Sequence, residues 1–268
     1  NSRSGEGEFI FAGAQSQTRP FTLDGGEISY EGDSVQRELL IGPGTTIPDG
    51  DTGDEVFMRI RNGNGVVAAA PDAGNAGTGV IRAEPGNASS TFTIDFTGPE
   101  TYDITDPANP GAPTGVNFEP GATISYDGVN VVISGEPDAG DSFAVEPASF
   151  ESAFATIDQL ADALELSPGS DAARAGQRQA IDDTLGQLDR AENRLLEVRA
   201  EVGGRLNTLQ DVQNTQDDVR FSLERLASDL RDIDFAEVVS RLQQEQFTLQ
   251  AAQQAFVRIQ GNSLFNFL

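Results

Sequence analysis

The side chains best placed for chemistry are carboxylates, because the 268-residue chain holds 43 acidic residues and neither His nor Cys. Without His the chain lacks the commonest general base, the Ser-His-Asp triad and the usual zinc ligand. Without Cys it has no disulfides and no thiolate metal sites. Carboxylate pairs for glycoside hydrolysis could be chosen almost anywhere among so many acids, so that choice has no specificity. We expect neither enzyme activity nor a cofactor.

One acidic segment resembles the start of a calcium-binding loop, with Asp49, Asp51 and Asp54 in Asp-Gly-Asp-Thr-Gly-Asp. An EF-hand needs a ligand side chain at the fifth loop position and Glu at the twelfth. Gly53 and Ile60 occupy those positions. The segment therefore predicts a solvated turn rather than a metal site.

The charge balance excludes other partners. All 17 basic residues are Arg, and the net charge is −26. A chain this acidic repels nucleic acid and anionic membrane surfaces. No apolar run approaches the roughly 20 residues that a membrane-spanning helix needs. We expect no nucleic-acid or membrane partner, and we interpret the acidity as an adaptation for solubility.

The composition changes near Pro147. Of 13 Pro residues, 12 lie in residues 1–148, as do 23 of 29 Gly residues. Strands and turns are therefore expected before this point and helices after it. We predict a β-containing connection over residues 1–64 and an all-β outer domain over residues 65–147.

Two patterns support the β assignment. The run Thr91–Thr97 alternates strictly, which places Phe92, Ile94 and Phe96 on one face of a half-buried strand. Asp127-Gly128 lies between two apolar runs and predicts a hairpin with a type I′ turn, in which both central residues need positive φ.

The second half has the heptad pattern of a long helix. The a and d positions start at Ile181 and Thr184, and 13 of 16 positions over eight heptads are apolar, Arg205 being one exception. One helix cannot bury such a seam alone, so partner helices are expected. We predict a helical rod over residues 148–233, with Ser149 as the N-cap of its first helix.

The heptad phase then breaks, and an apolar series restarts at Phe235. Asp234 and Glu237 have capping-box spacing, with Asp234 at N-cap and Glu237 at N3, so we predict a separate core-assembly helix over residues 234–268. Its polar face is rich in Gln, which can pack against neighbours without strong charge desolvation. The candidate assembly interface consists of apolar residues of this helix and the tail: Phe235, Val238, Leu242, Leu249, Phe256, Ile259, Leu264 and Phe265.

Two of these segments resemble the bacterial flagellins. Val202–Leu209 (Val-Gly-Gly-Arg-Leu-Asn-Thr-Leu) is similar to a helical sequence motif of that superfamily. Asp234–Glu237 with the following Gln-rich helix is similar to its C-terminal filament-core segment. Within the superfamily, further phrases resemble the family of hook-associated protein three, the hook–filament junction proteins. These phrases are Gly5–Gly13, Tyr30–Asp33, Ile47–Asp51, Leu249–Phe256 and Ser263–Leu268.

The resemblance implies an α+β fold: a long antiparallel helical-bundle or coiled-coil rod with an inserted all-β domain. In that family an N-terminal segment returns along the C-terminal helices, so we expect this chain to be N-terminally truncated. The resemblance also implies export through the flagellar secretion channel to the extracellular flagellum. The implied partners are the preceding hook-associated protein, flagellin, copies of the chain itself and a cytoplasmic export chaperone.

Two alternatives remain open from the sequence. The chain could be a flagellin filament subunit, which belongs to the same structural class. It could instead be an extracellular glycan-binding or glycan-active β domain on a helical stalk. The second alternative requires an exposed aromatic groove, whereas the chain has only three Tyr and no Trp.

Overall fold

A computed structural model describes residues 1–5, 7–86 and 90–261, with the backbone alone at 232–234. Among these residues, fourteen short strands precede two α-helices, α1 (Ala153–Glu165) and α2 (Asp171–Gly261), and a π-helical turn spans Asp54–Met58. The strands are β1 (Phe21–Asp24), β2 (Glu27–Tyr30), β3 (Glu38–Gly42), β4 (Thr45–Pro48), β5 (Ile60–Arg61), β6 (Val67–Pro71), β7 (Val80–Ala83), β8 (Phe92–Gly98), β9 (Thr101–Thr105), β10 (Val116–Asn117), β11 (Thr123–Tyr126), β12 (Val129–Ser134), β13 (Ser142–Pro147) and β14 (Phe150–Glu151).

Two antiparallel sheets share the main hydrophobic core. One has the strand order β10-β9-β8-β13-β6 and the other the order β11-β12-β7. The buried residues of this core lie between Val67 and Val145 and come from both sheets. Successive side chains of β8 point to opposite faces of the sheet. Phe92, Ile94 and Phe96 are therefore buried on one face, as the sequence pattern predicts.

The hairpin predicted at Asp127-Gly128 is confirmed. These residues join β11 to β12, and their φ angles are 47° and 74°. Positive φ at both central positions is the type I′ geometry, whose twist matches that of the flanking strands.

A second, smaller packing centre is made of aromatic rings from the first 60 residues and from α1. Phe21 of β1 lies 5.6 Å from Phe57 and 5.3 Å from Phe154 of α1, measured between ring centroids. Phe11 contacts Phe57 edge to face at 5.2 Å. These contacts attach the β1–β2 hairpin and the π-helical turn to α1.

We call the two sheets of the main core, β10-β9-β8-β13-β6 and β11-β12-β7, the outer sheets. A short two-stranded pairing joins them to the rest of the chain. Strand β5 pairs with β14. Asn62 binds Ser149 through three hydrogen bonds, two of them with the Ser149 backbone. The prediction of Ser149 as a helix N-cap is therefore wrong, because the chain continues as a strand through Glu151. Ser152 is the N-cap, and its Oγ accepts the Ala155 N–H at 2.9 Å.

Helix α2 runs antiparallel to α1. The Thr156 hydroxyl donates to the side-chain oxygen of Gln187, and further along α1 the Gln177 amide donates to the carbonyl of Ala163 at 2.8 Å. Gln179 is buried, and its Oε1 accepts the Ile81 N–H of β7 at 2.9 Å. The first part of α2 is thus fixed to both α1 and the outer sheets.

The predicted helix start at Asp234 is wrong, because α2 continues through this position without a break. The Glu237 carboxylate is 3.1 Å from Arg241 one turn later, a pair that favours continued helix. The side chain of Asp234 lies outside the described atoms. The compact units divide between Arg205 and Leu206, not at the predicted boundary between residues 233 and 234.

Candidate assembly interface

In the compact unit Asn1–Arg205, the heptad seam of α2 is partly covered by the chain's own residues. Thr184, Ala191 and Val198 are buried, and Leu188 is half-buried. Small side chains at several of these positions let other parts of the chain approach closely. This part of the seam is therefore used within the fold.

The second unit contains the rest of α2, residues 206–261, which we call the distal segment. Its seam is exposed, although the heptad repeat of the first unit continues in the same phase up to Ile233. Leu209, Leu223 and Leu230 are 41%, 60% and 56% exposed. Uncovered apolar residues repeating along a helix mark a surface that another helix can cover.

The predicted interface residues from Phe235 to Ile259 lie on one stripe of the distal segment, because successive members are three, four or seven residues apart. Phe235 and Ile259 are each 72% exposed. Val238, Leu242, Leu249 and Phe256 are also exposed, and Leu264 and Phe265 lie outside the described residues. The sequence analysis missed Phe247, which is equally exposed but lies off the stripe.

Charge decreases along the distal segment. Residues 206–245 carry nine acidic residues and four Arg, whereas Arg258 is the only ionisable side chain in residues 246–268. Most polar residues of the helix after position 245 are Gln, for example Gln250, Gln253 and Gln254. Gln can form hydrogen bonds between subunits without the penalty of burying a charge. The end of α2 is suited to burial in an assembly.

Arg205 stands on the seam where the two units meet in sequence, and it binds Asp51. Its guanidinium donates to both carboxylate oxygens of Asp51, at 3.0 and 2.5 Å. Gln36 adds a hydrogen bond to the same carboxylate at 3.0 Å. The bond with Asp51 raises the pKa of Arg205. The prediction that Asp51 belongs to a solvated turn is wrong, because Asp51 is buried and its carboxylate is paired with Arg205.

The neighbouring acids also have cationic partners. Asp49 binds Arg37, and Asp54 is 3.8 Å from Arg59. In the part of the chain that the structure describes, no group of three or more acidic residues could hold a metal ion. Within the same residues, no helix combines the length and apolarity needed to cross a bilayer.

One acidic side chain, Asp183, lies in surroundings that disfavour its charged form. Burial raises the pKa of Asp183, although Gln179 donates a hydrogen bond to its carboxylate at 2.8 Å and Arg190 attracts it. Burial also lowers the pKa of Arg190. Desolvation thus outweighs the attraction between these two charges.

Comparison with known proteins gives the family. The family model of the bacterial flagellin C-terminal helical region matches residues 185–268. Flagellar hook-associated protein 3 of Escherichia coli (strain K12) is 24% identical over 266 residues, which cover 99% of this chain. The chain spans 59% of the length of that relative.

A crystal structure of Xanthomonas campestris FlgL is 30% identical, with a TM-score of 0.74 over 79% of this chain and 71% of that one. The chain belongs to the FlgL family. The chain is also similar to the crystal structure of flagellar hook-associated protein 3 from Legionella pneumophila. The two are 28% identical, with a TM-score of 0.79 over 87% of this chain and 76% of that one. The predicted resemblance and the α+β fold class are both confirmed. Members of the FlgL family are structural flagellar proteins.

Proposed function

We propose that this chain is part of a structural subunit that joins the hook-associated zone of the bacterial flagellum to the flagellin filament. The observation that carries the proposal is the distal segment of α2, with its uncovered apolar stripe and its charge-poor end. Such a helix is stable in water only when other helices cover its stripe. The names of the relatives support the same role, since a solved FlgL from Legionella pneumophila is called a flagellar junction protein.

In this proposal the stripe Phe235–Ile259 packs inside the assembled flagellum, and the outer sheets face solvent. Among the described residues between Val67 and Pro147, no large apolar side chain is exposed. That surface therefore has little to contribute to a buried contact. Leu264 and Phe265 extend the proposed contact along the sequence.

The proposed partners are the preceding hook-associated protein, flagellin, copies of the chain and a cytoplasmic export chaperone. Export through the flagellar secretion channel is compatible with a chain that has no Cys, since no disulfide has to form or break. Enzyme activity is not part of the proposal.

The glycan-binding alternative has no structural support. Sugar-binding surfaces commonly use exposed aromatic rings, but the described aromatic residues of the outer sheets are buried or half-buried. Phe92, Phe96, Tyr102, Phe118 and Phe143 all belong to the core.

Electron microscopy of a strain that lacks the gene tests the proposal. A junction subunit predicts intact hooks without filaments and flagellin released into the medium. If the chain is instead a filament subunit, its deletion removes the filament protein itself. The medium would then not contain the normal amount of flagellin. Hooks that carry normal filaments would overturn both structural roles. Restoration by the intact gene is the control.

A further inference from the structure

Both Asn-Gly steps of the chain lie in the short segment between β5 and β6, in the sequence Arg-Asn-Gly-Asn-Gly. Asn-Gly is the dipeptide most prone to spontaneous deamidation, because Gly has no side chain to hinder the approach of its backbone nitrogen to the Asn side chain. Asn62, Gly63, Asn64 and Gly65 are all half-buried, so each is partly open to water. The same chemistry is thus available at two neighbouring positions, and the fold sets the difference between them.

The side chain of Asn64 is held at both of its polar atoms. Its Oδ1 accepts the N–H groups of Val66 and Val67, at 3.0 and 2.9 Å. Its Nδ2 donates to the carbonyl oxygens of Ala83 and Glu84, at 3.3 and 3.0 Å. These four hydrogen bonds fix the side-chain amide between the start of β6 and the end of β7.

The nucleophile that would attack Asn64 is also engaged. The Gly65 N–H donates to the backbone oxygen of Asn62 at 3.0 Å. Attack by the Gly65 nitrogen requires loss of this hydrogen bond and release of an amide that four other bonds hold. Deamidation of Asn64 therefore needs local unfolding of the segment.

Asn62 is held less tightly than Asn64, through two side-chain hydrogen bonds with Ser149. The Ser149 N–H donates to Asn62 Oδ1 at 2.8 Å, and Asn62 Nδ2 donates to Ser149 Oγ at 3.0 Å. Among the residues that the structure describes, no acceptor binds the Gly63 N–H. The fold requires Gly at position 63, because φ is 56° and a Cβ would lie 2.1 Å from the Val67 oxygen. The reactive dipeptide is therefore retained, and its nucleophile is free.

We propose that Asn62 is a site of spontaneous deamidation in the folded protein, with Ser149 as the restraint that slows it, and that the fold protects Asn64. The Gly63 nitrogen attacks Cγ of Asn62, the Cγ–Nδ2 bond breaks, and ammonia leaves with the proton lost by the Gly63 nitrogen. Water then opens the succinimide ring at one of its two carbonyl groups, which gives Asp or isoaspartate at position 62. Water is the only co-reactant.

The two products differ in their effect on the fold. An Asp side chain keeps one oxygen for the Ser149 N–H, and its other oxygen can accept the Ser149 hydroxyl. Isoaspartate carries one extra methylene group in the main chain, which moves residue 62 out of register with Ser149. Isoaspartate therefore loosens the adjoining β5–β14 pairing, which joins the outer sheets to the rest of the chain.

Peptide mass spectrometry of the purified chain tests the proposal. The folded protein is incubated in mildly alkaline buffer, samples are digested with an acid protease, and fragment masses assign each deamidation to position 62 or 64. We expect deamidation to be about tenfold faster at 62 than at 64, because Asn64 and Gly65 must lose more hydrogen bonds before they react. The control is the same chain in concentrated urea, where the two positions should react at similar rates.

Ser149→Ala is the matched variant. Loss of the hydroxyl removes the acceptor for Asn62 Nδ2, so we expect deamidation about fivefold faster at 62 and unchanged at 64. Equal rates at the two positions of the folded, unsubstituted chain would overturn the proposal, as would an unchanged rate at 62 in Ser149→Ala. A preference for 62 that persists in urea would overturn it too, because the preference would then come from the sequence and not from the fold.

Discussion

At the scale of single residues, the ion pair between Arg205 and Asp51 attaches the beginning of the chain to α2. This pair is largely shielded from water, with side-chain exposures of 18% and 8%. Removal of one partner from such a pair is strongly destabilising because the other charge stays buried without compensation.

We predict that Asp51→Asn lowers the free energy of unfolding by about 2 kcal/mol, because Arg205 then loses its two-point partner and keeps only the half-exposed Glu201 carboxylate at 3.6 Å. Urea unfolding followed by circular dichroism measures the change. The matched control is Asp217→Asn, whose partner Arg220 is 3.2 Å away on an exposed helix face. The control should change stability by about 0.5 kcal/mol or less. Equal effects of both substitutions would contradict a structural role for the Arg205 pair.

Asp183 leads to a prediction about pH. Its pKa is raised in the folded state by burial, so the charged carboxylate weakens the fold once the pH exceeds the folded pKa. Below the pKa of the unfolded chain the group is protonated in both states, and this penalty disappears. Asp183→Asn should therefore raise the melting temperature at pH 7, and the gain should shrink as the pH falls through the acidic range.

Scanning calorimetry at several pH values measures this gain. Asp158→Asn, at an exposed position of α1, controls for the general benefit of removing a negative charge from an acidic chain. A gain that is independent of pH, or no larger than that of the control, would show that burial of Asp183 does not limit stability.

At the scale of elements, Gln179 connects α2 to the outer sheets. Its side-chain oxygen is the acceptor for the Ile81 N–H, and this hydrogen bond is buried. Replacement by Ala leaves the N–H without an acceptor, which costs about 1–3 kcal/mol. We predict faster hydrogen exchange at the Ile81 amide in Gln179→Ala. Gln210→Ala, at an exposed position of the same helix, should leave that amide unchanged. Unaltered exchange in Gln179→Ala would refute the connection.

The elements also show what sequence patterns can and cannot predict. Strand β8 and the Asp127-Gly128 turn follow from local alternation and local φ preferences, so the sequence predicts them well. The capping-box pattern at Asp234 is local too. It predicts a helix start, whereas the residues on both sides of it favour one uninterrupted helix. The continued helix and the Glu237–Arg241 pair prevail. The β5–β14 pairing joins segments about 90 residues apart, which short patterns do not reveal.

The same limit applies to the candidate interface. The heptad count identifies the apolar stripe of α2, because side-chain direction on a helix follows from spacing. It cannot show where the chain covers its own seam, since Thr184 and Leu226 occupy equivalent positions with opposite exposure. The Asp51–Arg205 pair is likewise hidden, because it depends on a contact between distant segments.

At the scale of the whole molecule, charge and apolarity are separated along the chain. The outer sheets expose no large apolar side chain among their described residues, whereas the distal segment of α2 exposes apolar residues both before and after the change of phase at Phe235. An acidic body keeps such a chain soluble before assembly, and the neutral end of α2 can then be buried without desolvating charges.

The most direct test of this account compares two neighbouring residues on opposite sides of the distal segment. Leu242 lies on the apolar stripe, and Ser240 lies on the other face of the helix. Each is changed to Asp in the complete gene, which adds the same charge at almost the same place. The measurement is the fraction of hooks that carry filaments in a complemented deletion strain. We predict that Ser240→Asp restores filaments and that Leu242→Asp does not, although both proteins are expressed and folded. Filament attachment by Leu242→Asp at the level of Ser240→Asp would contradict the account.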